Sequence, residues 1–378
     1  TRAQRVEYLL LHEFHARKFM LPDKLSAKER KFGRGNTGGG DFDGADGGDP
    51  EEGGGVKAGK KKGGPAYAGG LVLEPKKGLY DKYVLMLDFN SLYPSIIQEY
   101  DICFTTVARP RVEDAEDPSA PPPPVALPEP PAGGPGGPNA AVLPQVIRKL
   151  VQRRREVKNM IKSERNPAVR QQLDIRQLAL KLTANSMYGC LGFAASRFYA
   201  KPLAELTTTQ GREILQSTVD LAQGTLGMDV IYGDTDSIMI NTNSNNLAEV
   251  MQVGNAVKKE VNKRYKLLEI EIDGVYKSML LLKKKKYAAL KVEASADGAG
   301  GVTTVMEQKG LDIVRRDWSP LAKAQGNLAL NLILSGRAAE DVVEDIHESL
   351  RKCREDLVAG AVTMDQFVIT KQLTKRPE

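Results

Sequence analysis

Two spacings of apolar residues run through this 378-residue chain. YVLMLDF (83–89) is a continuous apolar run bounded by charged and turn residues, and it predicts a buried strand. VIYGDTDSIMI (230–240) is two β-rich runs about a Gly-Asp turn, which predicts a hairpin. LEIEIDGVYKSMLLLKKKKYAALKV (268–292) predicts further strands. The other spacing is helical. It covers 145–162 and 168–191, split by an Asn166–Pro167 break, then about 203–224 and 246–265, and most of 319–378. Pro94 is placed to open a helix directly after the first strand, and residues 1–32 read as a short helix with an extended tail. Helices interleaved with hairpins predict an α+β fold on an antiparallel sheet, not a doubly wound one.

Two stretches fit neither spacing. Residues 33–64 are rich in Gly and polar residues with almost nothing large and apolar, so burial cannot offset the entropy of ordering them; disorder is expected. Their Lys60–Lys62 run reads as part of a solvated linker. Residues 113–140 are rich in Pro and Gly and predict a second flexible insertion.

A hydrophobic content of 41% supports a sizeable core in two or more units. The formal charge of +6 suits a polyanion partner without proving one, but its clustering at 148–158 and 283–286 is more informative. Cys103, Cys190 and Cys353 are far apart and form no CxxC pair, which points to a reducing compartment. His12, His15 and His347 lack zinc-ligand spacing. No apolar run reaches membrane-spanning length, so no membrane partner is expected, and no secretory leader is seen. The chain opens within a helical pattern and stops after TKRPE, as a piece of a longer protein would.

The chemistry concentrates in carboxylates. Asp234 and Asp236 are two residues apart in an apolar hairpin, and Asp88 ends another apolar strand. Acids set in hydrophobic sheet need neutralising, and oxygen ligands without His or Cys suit magnesium with phosphate and water. A plain turn is the alternative for the pair in the hairpin. On the helices, Arg154 and Lys158 share one face, and Lys181, Asn185, Tyr188 and Gly189 follow one face of the next. Converging cations would clamp a triphosphate, with the alternative being a solvated basic face. A buried Asn185, and Leu178 and Leu182 packing the two helices together, are expected. Backbone N–H groups at Ser91 and Leu92 could cradle phosphate, and Tyr93 lies just beyond them; core packing is the simpler role for Tyr93.

Taken together, DFNSLYPSII (88–97), KLTANSMYG (181–189), YGDTDS (232–237), KKKKY (283–287) and AYAGG (66–70) resemble motifs of the family B DNA polymerases, in that family's order. The stretches linking them are similar to the family's alpha-type branch. The resemblance implies an antiparallel-sheet palm, a helical-hairpin fingers subdomain and the start of a helical thumb. It divides the chain into 1–32 (tail of an N-terminal, exonuclease-like region), 33–64 (insertion), 65–112 (palm), 113–140 (insertion), 141–198 (fingers), 199–308 (palm) and 309–378 (start of thumb). Asp88 and Asp236 match the acids holding two Mg2+ ions, with the Phe89 carbonyl as a further ligand and Asp234 as a supporting acid. Ser91, Leu92, Arg154, Lys158, Lys181 and Asn185 match the groups that bind the dNTP triphosphate. Tyr93 matches the residue that packs on the deoxyribose and excludes a 2′-hydroxyl, while Tyr188 and Gly189 border the new base pair. Lys284, Lys285 and Tyr287 match contacts to the primer–template duplex, Tyr67, Gly69 and Gly70 contacts to the template, and Arg315 and Arg316 contacts to the primer backbone. The implied activity is template-directed DNA synthesis in the nucleus. Implied partners are primer–template nucleic acid, including RNA–DNA primers, together with primase subunits and an accessory B subunit. A scaffold that binds DNA or partner subunits without turnover is the competing reading.

Overall fold

The computed structural model describes residues 2–23, 67–108, 125–135, 137, 139–294 and 302–371. The stretch 33–64 and much of 113–140, both expected to be flexible, lie outside the described residues. In chain order the elements are α1 (Arg2–Ala16), β1 (Gly78–Tyr80), β2 (Val84–Phe89), α2 (Leu92–Glu99), α3 (Val142–Ser163), α4 (Pro167–Gly192), α5 (Lys201–Asp220), β3 (Asp229–Asp234), β4 (Ser237–Asn241), α6 (Leu247–Asn262), β5 (Ile270–Lys283), β6 (Lys286–Ala294), β7 (Val302–Lys309), α7 (Pro320–Ile333) and α8 (Ala339–Val358). A short π-helical turn, Leu221–Thr225, continues from α5.

The chain forms two compact units. The first comprises residues 1–71, 89–217 and 261–270. Its helices bury an apolar set that includes Leu10, Ile96, Ile97, Leu143, Ile147, Met187 and Leu191. The ring of Phe14 meets Phe104 edge-on and stacks on Phe198, with centroids 5.7 and 5.8 Å apart. α3 and α4 form a helical hairpin. Glu164–Asn166 turn the chain, Pro167 begins α4, and the Asn166 side chain caps it by accepting from the Ala168 N–H at 3.0 Å. The buried Asp101 accepts from the Ala141 N–H at 2.9 Å, just before α3 opens. Burial raises the Asp101 carboxyl above its usual range, opposed in part by that hydrogen bond.

The second unit comprises residues 72–88, 218–260 and 271–378. Among the described residues seven strands make one sheet in the order β3-β4-β2-β5-β6-β7, with β1 also paired to β5. The β1–β5, β2–β4, β3–β4, β5–β6 and β6–β7 pairs are antiparallel, so the α+β expectation holds. Val84, Ile231, Met239, Tyr276 and Met279 belong to one core cluster. Tyr276 and Met279 join it despite a three-residue spacing because the β5–β6 register shifts between them. A second cluster packs Leu330 and Leu334, in and just after α7, against Ala288 and Leu311. β7 was not anticipated from sequence. Its burial pattern is mostly exposed, as at a sheet edge, so VTTVMEQK lacks the apolar run that marks β2.

Candidate functional site

The carboxylates are brought together by strand register. Asp88, the penultimate residue of β2, pairs with Ser237 at the start of β4. On the other side of β4, Asp234 pairs with the same Ser237, and Asp236 directly precedes it. Three acids from two sequence segments therefore surround one serine. The hairpin turn is Thr235–Asp236, a correction to the expected Gly-Asp turn: Gly233 and Asp234 belong to β3. Thr235 has φ 58°, and the Asp236 N–H donates to the Asp234 carbonyl at 2.6 Å. Gly233 sits in a tight place: a Cβ there would lie 2.9 Å from Leu73 Cδ1 and 3.2 Å from the Ser237 carbonyl oxygen, so Leu73 would have to shift. Residues 72–76 run beside β3, with the Leu73 N–H donating to the Gly233 carbonyl at 2.9 Å.

Both oxygens of Asp234 have protein partners. The Thr235 hydroxyl donates to Oδ1 at 3.0 Å, and Lys285 Nζ lies 3.7 Å from it. The Tyr232 hydroxyl donates to Oδ2 at 3.4 Å and accepts the Lys285 N–H at 2.8 Å. Burial pushes the Tyr232 phenol up to about 12, so it stays protonated as a donor. Among the described residues, no three or more His, Cys, Asp or Glu side chains form a metal cage. Asp88 and Asp236 are half-exposed, and the candidate metal ligands there are a set of oxygens alone. That set suits magnesium, which keeps water and substrate phosphate among its ligands.

The lysine run makes a second hairpin. β5 and β6 are joined by Lys284–Lys285, with Lys285 at φ 61°. Lys284 pairs with Glu74. Tyr287 is buried, and its hydroxyl and that of Tyr276 both donate to Glu307 Oε1 at 3.1 Å. It supports the turn from within the sheet, and burial raises its pKa so that it remains a donor. Arg315 and Arg316 are exposed, and Arg315 pairs with Asp317 at 3.0 Å.

In the first unit, Ser91 turns the chain into α2 at φ 50°, and its carbonyl accepts the Ser95 N–H at 3.0 Å. Leu92 is buried beneath that turn and Tyr93 half-buried. Arg154 on α3 donates through Nε to Gln177 Oε1 on α4 at 3.3 Å. Gln177, Lys181, Asn185 and Tyr188 lie on one stripe of α4. Lys158 lies a turn nearer the hairpin tip than Arg154, and Lys181 a turn farther from it than Gln177, about 6 Å each way. Burial lowers the pKa of the Arg154 guanidinium, which remains charged. Two expectations need correcting. Asn185 is exposed, as Lys158 and Lys181 are. Leu178 and Leu182 are 49% and 38% exposed and do not weld the helices together. Their i, i+4 spacing placed them on one face without saying that the face pointed inward.

Sequence reasoning did not bring the tyrosines together. The Tyr93 ring stacks on Tyr188, centroids 4.4 Å apart, and the Tyr188 and Tyr67 hydroxyls hydrogen-bond at 3.3 Å. Burial, then the Tyr67 hydrogen bond, raises the Tyr188 phenol far above any working pH. Arg212 on α5 was also missed. Its Nη1 donates to the Ala68 and Gly69 carbonyls at 3.0 and 2.8 Å, tying down the segment of Tyr67, Gly69 and Gly70. No motif marks it. Gln177 was findable, one turn from Lys181. At Gly69 and Gly189 a Cβ would meet nothing within 4 Å.

A family model described as DNA polymerase family B matches residues 1–378. The chain is 55% identical over 384 residues to the DNA polymerase alpha catalytic subunit of Oryza sativa subsp. japonica, covering all of this chain and 24% of that protein. It is 53% identical to the proteins of the same name from Xenopus laevis and Mus musculus, again over its full length and 24% and 25% of theirs. The chain thus spans about a quarter of the length of these curated relatives. Among solved structures, the family B DNA polymerase of the hyperthermophilic archaeon Pyrobaculum calidifontis matches with a TM-score of 0.62 and 29% identity, over 100% of this chain and 41% of that one. The family, expected from five motifs, and its alpha-type branch, expected from the stretches linking them, are both borne out, and the chain belongs to DNA polymerase family B.

Proposed function

We propose that this chain carries the nucleotidyl-transfer site of a template-dependent DNA polymerase, in which a primer 3′-hydroxyl attacks the α-phosphate of a dNTP and pyrophosphate leaves. The observation that carries the reading is the pairing of Asp88 with Ser237, the residue that directly follows Asp236. In this reading Asp88, Asp236 and the Phe89 carbonyl hold two Mg2+ ions, and Asp234 shapes the turn. Bound there, the ions supply Lewis-acid charge that lowers the hydroxyl's pKa and stabilises the leaving pyrophosphate.

The chain's own groups do the rest. Arg154, Lys158 and Lys181 neutralise the β- and γ-phosphates. Arg154 is best fitted to this, because partial burial and the Gln177 bond fix its fork before a phosphate arrives. Asn185 and the backbone at Ser91 and Leu92 complete the phosphate contacts. Tyr93, backed by Tyr188, presents a ring face to the sugar and leaves no room for a 2′-hydroxyl. Gly189 borders the new base pair. Tyr67, Gly69 and Gly70 face the template; Lys284, Lys285, Arg315 and Arg316 take backbone phosphates, with Tyr287 beneath the lysines.

Similarity to alpha-type subunits supports a replicative role in the nucleus, extension of RNA–DNA primers, and assembly with primase and an accessory B subunit. The test is Asp236→Asn. Primer extension should fall by three orders of magnitude or more, with duplex affinity changed less than about twofold, because phosphate contacts by basic residues dominate affinity. Extension at a near-normal rate would remove Asp236 from the site.

A further inference from the structure

Two consecutive residues of α5 support the tyrosine chain from below. A Cβ at Gly211 would lie 3.2 Å from Tyr93 Cε1, so the Tyr93 ring, stacked on Tyr188, also packs closely against that glycine. Next to it, Arg212 grips the Ala68 and Gly69 carbonyls through Nη1 and the Thr209 hydroxyl, on its own helix, through Nη2 at 2.7 Å. That grip fixes the segment whose Tyr67 hydroxyl meets Tyr188. At the end of α4, a Cβ on Gly192 would stand 2.3 Å from the same Tyr67 hydroxyl, so that glycine provides the socket into which the hydroxyl fits. Arg212, Tyr67, Tyr188 and Tyr93 thus form one continuous line of contacts from four separate parts of the sequence.

We propose that Arg212 is a positioning residue for sugar selection: through Tyr67 and Tyr188 it holds the Tyr93 ring in the orientation that excludes a ribose. The proposal deepens the reading of Tyr93 given above and rests on it. A ring discriminates against one extra hydroxyl only if it cannot tilt, and its tilt is limited here by the Tyr188 stack. The stack is limited in turn by the hydroxyl pair and by Arg212. Arg suits this task because its planar fork holds both carbonyls through Nη1 while Nη2 is fixed on the Thr209 hydroxyl, whereas a lysine ammonium is a point donor on a flexible stem. The same line ties the template-facing segment to the sugar-facing ring, so displacement of one is felt at the other.

The experiment compares kcat/KM for a dNTP and the rNTP of the same base on one primer–template. Arg212→Ala and Tyr67→Phe should each lower the dNTP preference by about three- to tenfold, the scale of a lost hydrogen bond, with Arg212→Lys between wild type and Arg212→Ala. A merely structural role would depress both substrates equally and leave the ratio unmoved. Gly192→Ala guards against misfolding. Alanine favours a helix over glycine, so melting temperature should hold or rise while the displaced Tyr67 hydroxyl lowers the preference. An unchanged ratio in Arg212→Ala, Tyr67→Phe and Gly192→Ala, in a protein whose Tyr93→Ala variant does accept ribonucleotides, overturns the proposal. An unchanged ratio in Tyr93→Ala instead overturns the underlying assignment of Tyr93.

Discussion

Gly310→Ala should damage the lysine hairpin, by an amount that follows from local geometry. Gly310 has φ +63°, a left-handed conformation that costs an alanine about 1 kcal/mol. Its new Cβ would also stand 2.1 Å from the Lys285 carbonyl oxygen, well inside the 3.0 Å below which such contacts are essentially never seen. A backbone atom cannot swing aside as a side chain can, so the Lys284–Lys285 turn must shift by nearly an ångström. Such a shift breaks the Lys285 N–H bond to Tyr232, about 1 kcal/mol. It also breaks the Lys285–Asp234 pair, which is 48% and 24% exposed and so is discounted to a few tenths. The expected loss is about 2–3 kcal/mol, read from urea denaturation of wild type and variant. Binding should report the same event. With Lys284 and Lys285 displaced, the slope of log affinity for duplex DNA against log salt should become less negative by about 0.9 to 1.8, one to two phosphate contacts. A stability loss below about 0.5 kcal/mol with an unchanged salt slope would refute the reasoning.

Gly189→Ala should act in the opposite sense on stability. It sits within α4 with open space where a Cβ would go, so alanine should stabilise by up to about 1 kcal/mol in a thermal melt. Primer extension should nonetheless fall about tenfold or more if the new base pair passes there, and unaltered kinetics would remove Gly189 from that border. Asp101→Asn tests the buried carboxylate before α3. Its folded pKa is raised, so the folded state favours the proton; the ionised form weakens stability above that pKa, and the penalty fades as pH falls through it. The asparagine variant should therefore melt higher than wild type at pH 7, with the gap closing toward about pH 4. A gap that is constant with pH would show that ionisation is not its cause.

Where a single segment holds all the information, the sequence was readable. The apolar run 83–89 and the hairpin 230–240 became β2, β3 and β4 because a buried strand needs unbroken apolar residues on both faces. Asn166–Pro167 marked the hairpin between α3 and α4 because a proline with an Asx cap opens a helix and little else. The acids were readable too, since a charge in an apolar strand has to be explained. Contacts between distant segments were not readable. Nothing at Arg212 announces that it meets the carbonyls of Ala68 and Gly69, 144 and 143 positions away in sequence. β7 failed for another reason: an exposed edge strand needs no apolar alternation, so the pattern that reveals β2 is absent from it.

Charge shows the same division between what a total conveys and what placement conveys. Residues 142–192, the α3–α4 hairpin, hold eleven Lys and Arg against three Asp and Glu, a net +8 where the whole chain is +6. The remainder of the chain is therefore slightly acidic, and the overall basic balance says nothing about the sheet. Within the hairpin, Lys149 is matched by Glu13 at 2.8 Å, while the hairpin's own sequence supplies three acids for its eleven cations. Like charges crowded on two adjacent helices repel and cost stability. A polyphosphate bound between them would offset that repulsion. Arg154, partly buried and braced by Gln177, is where that relief would be greatest, because charge interactions strengthen as water is excluded.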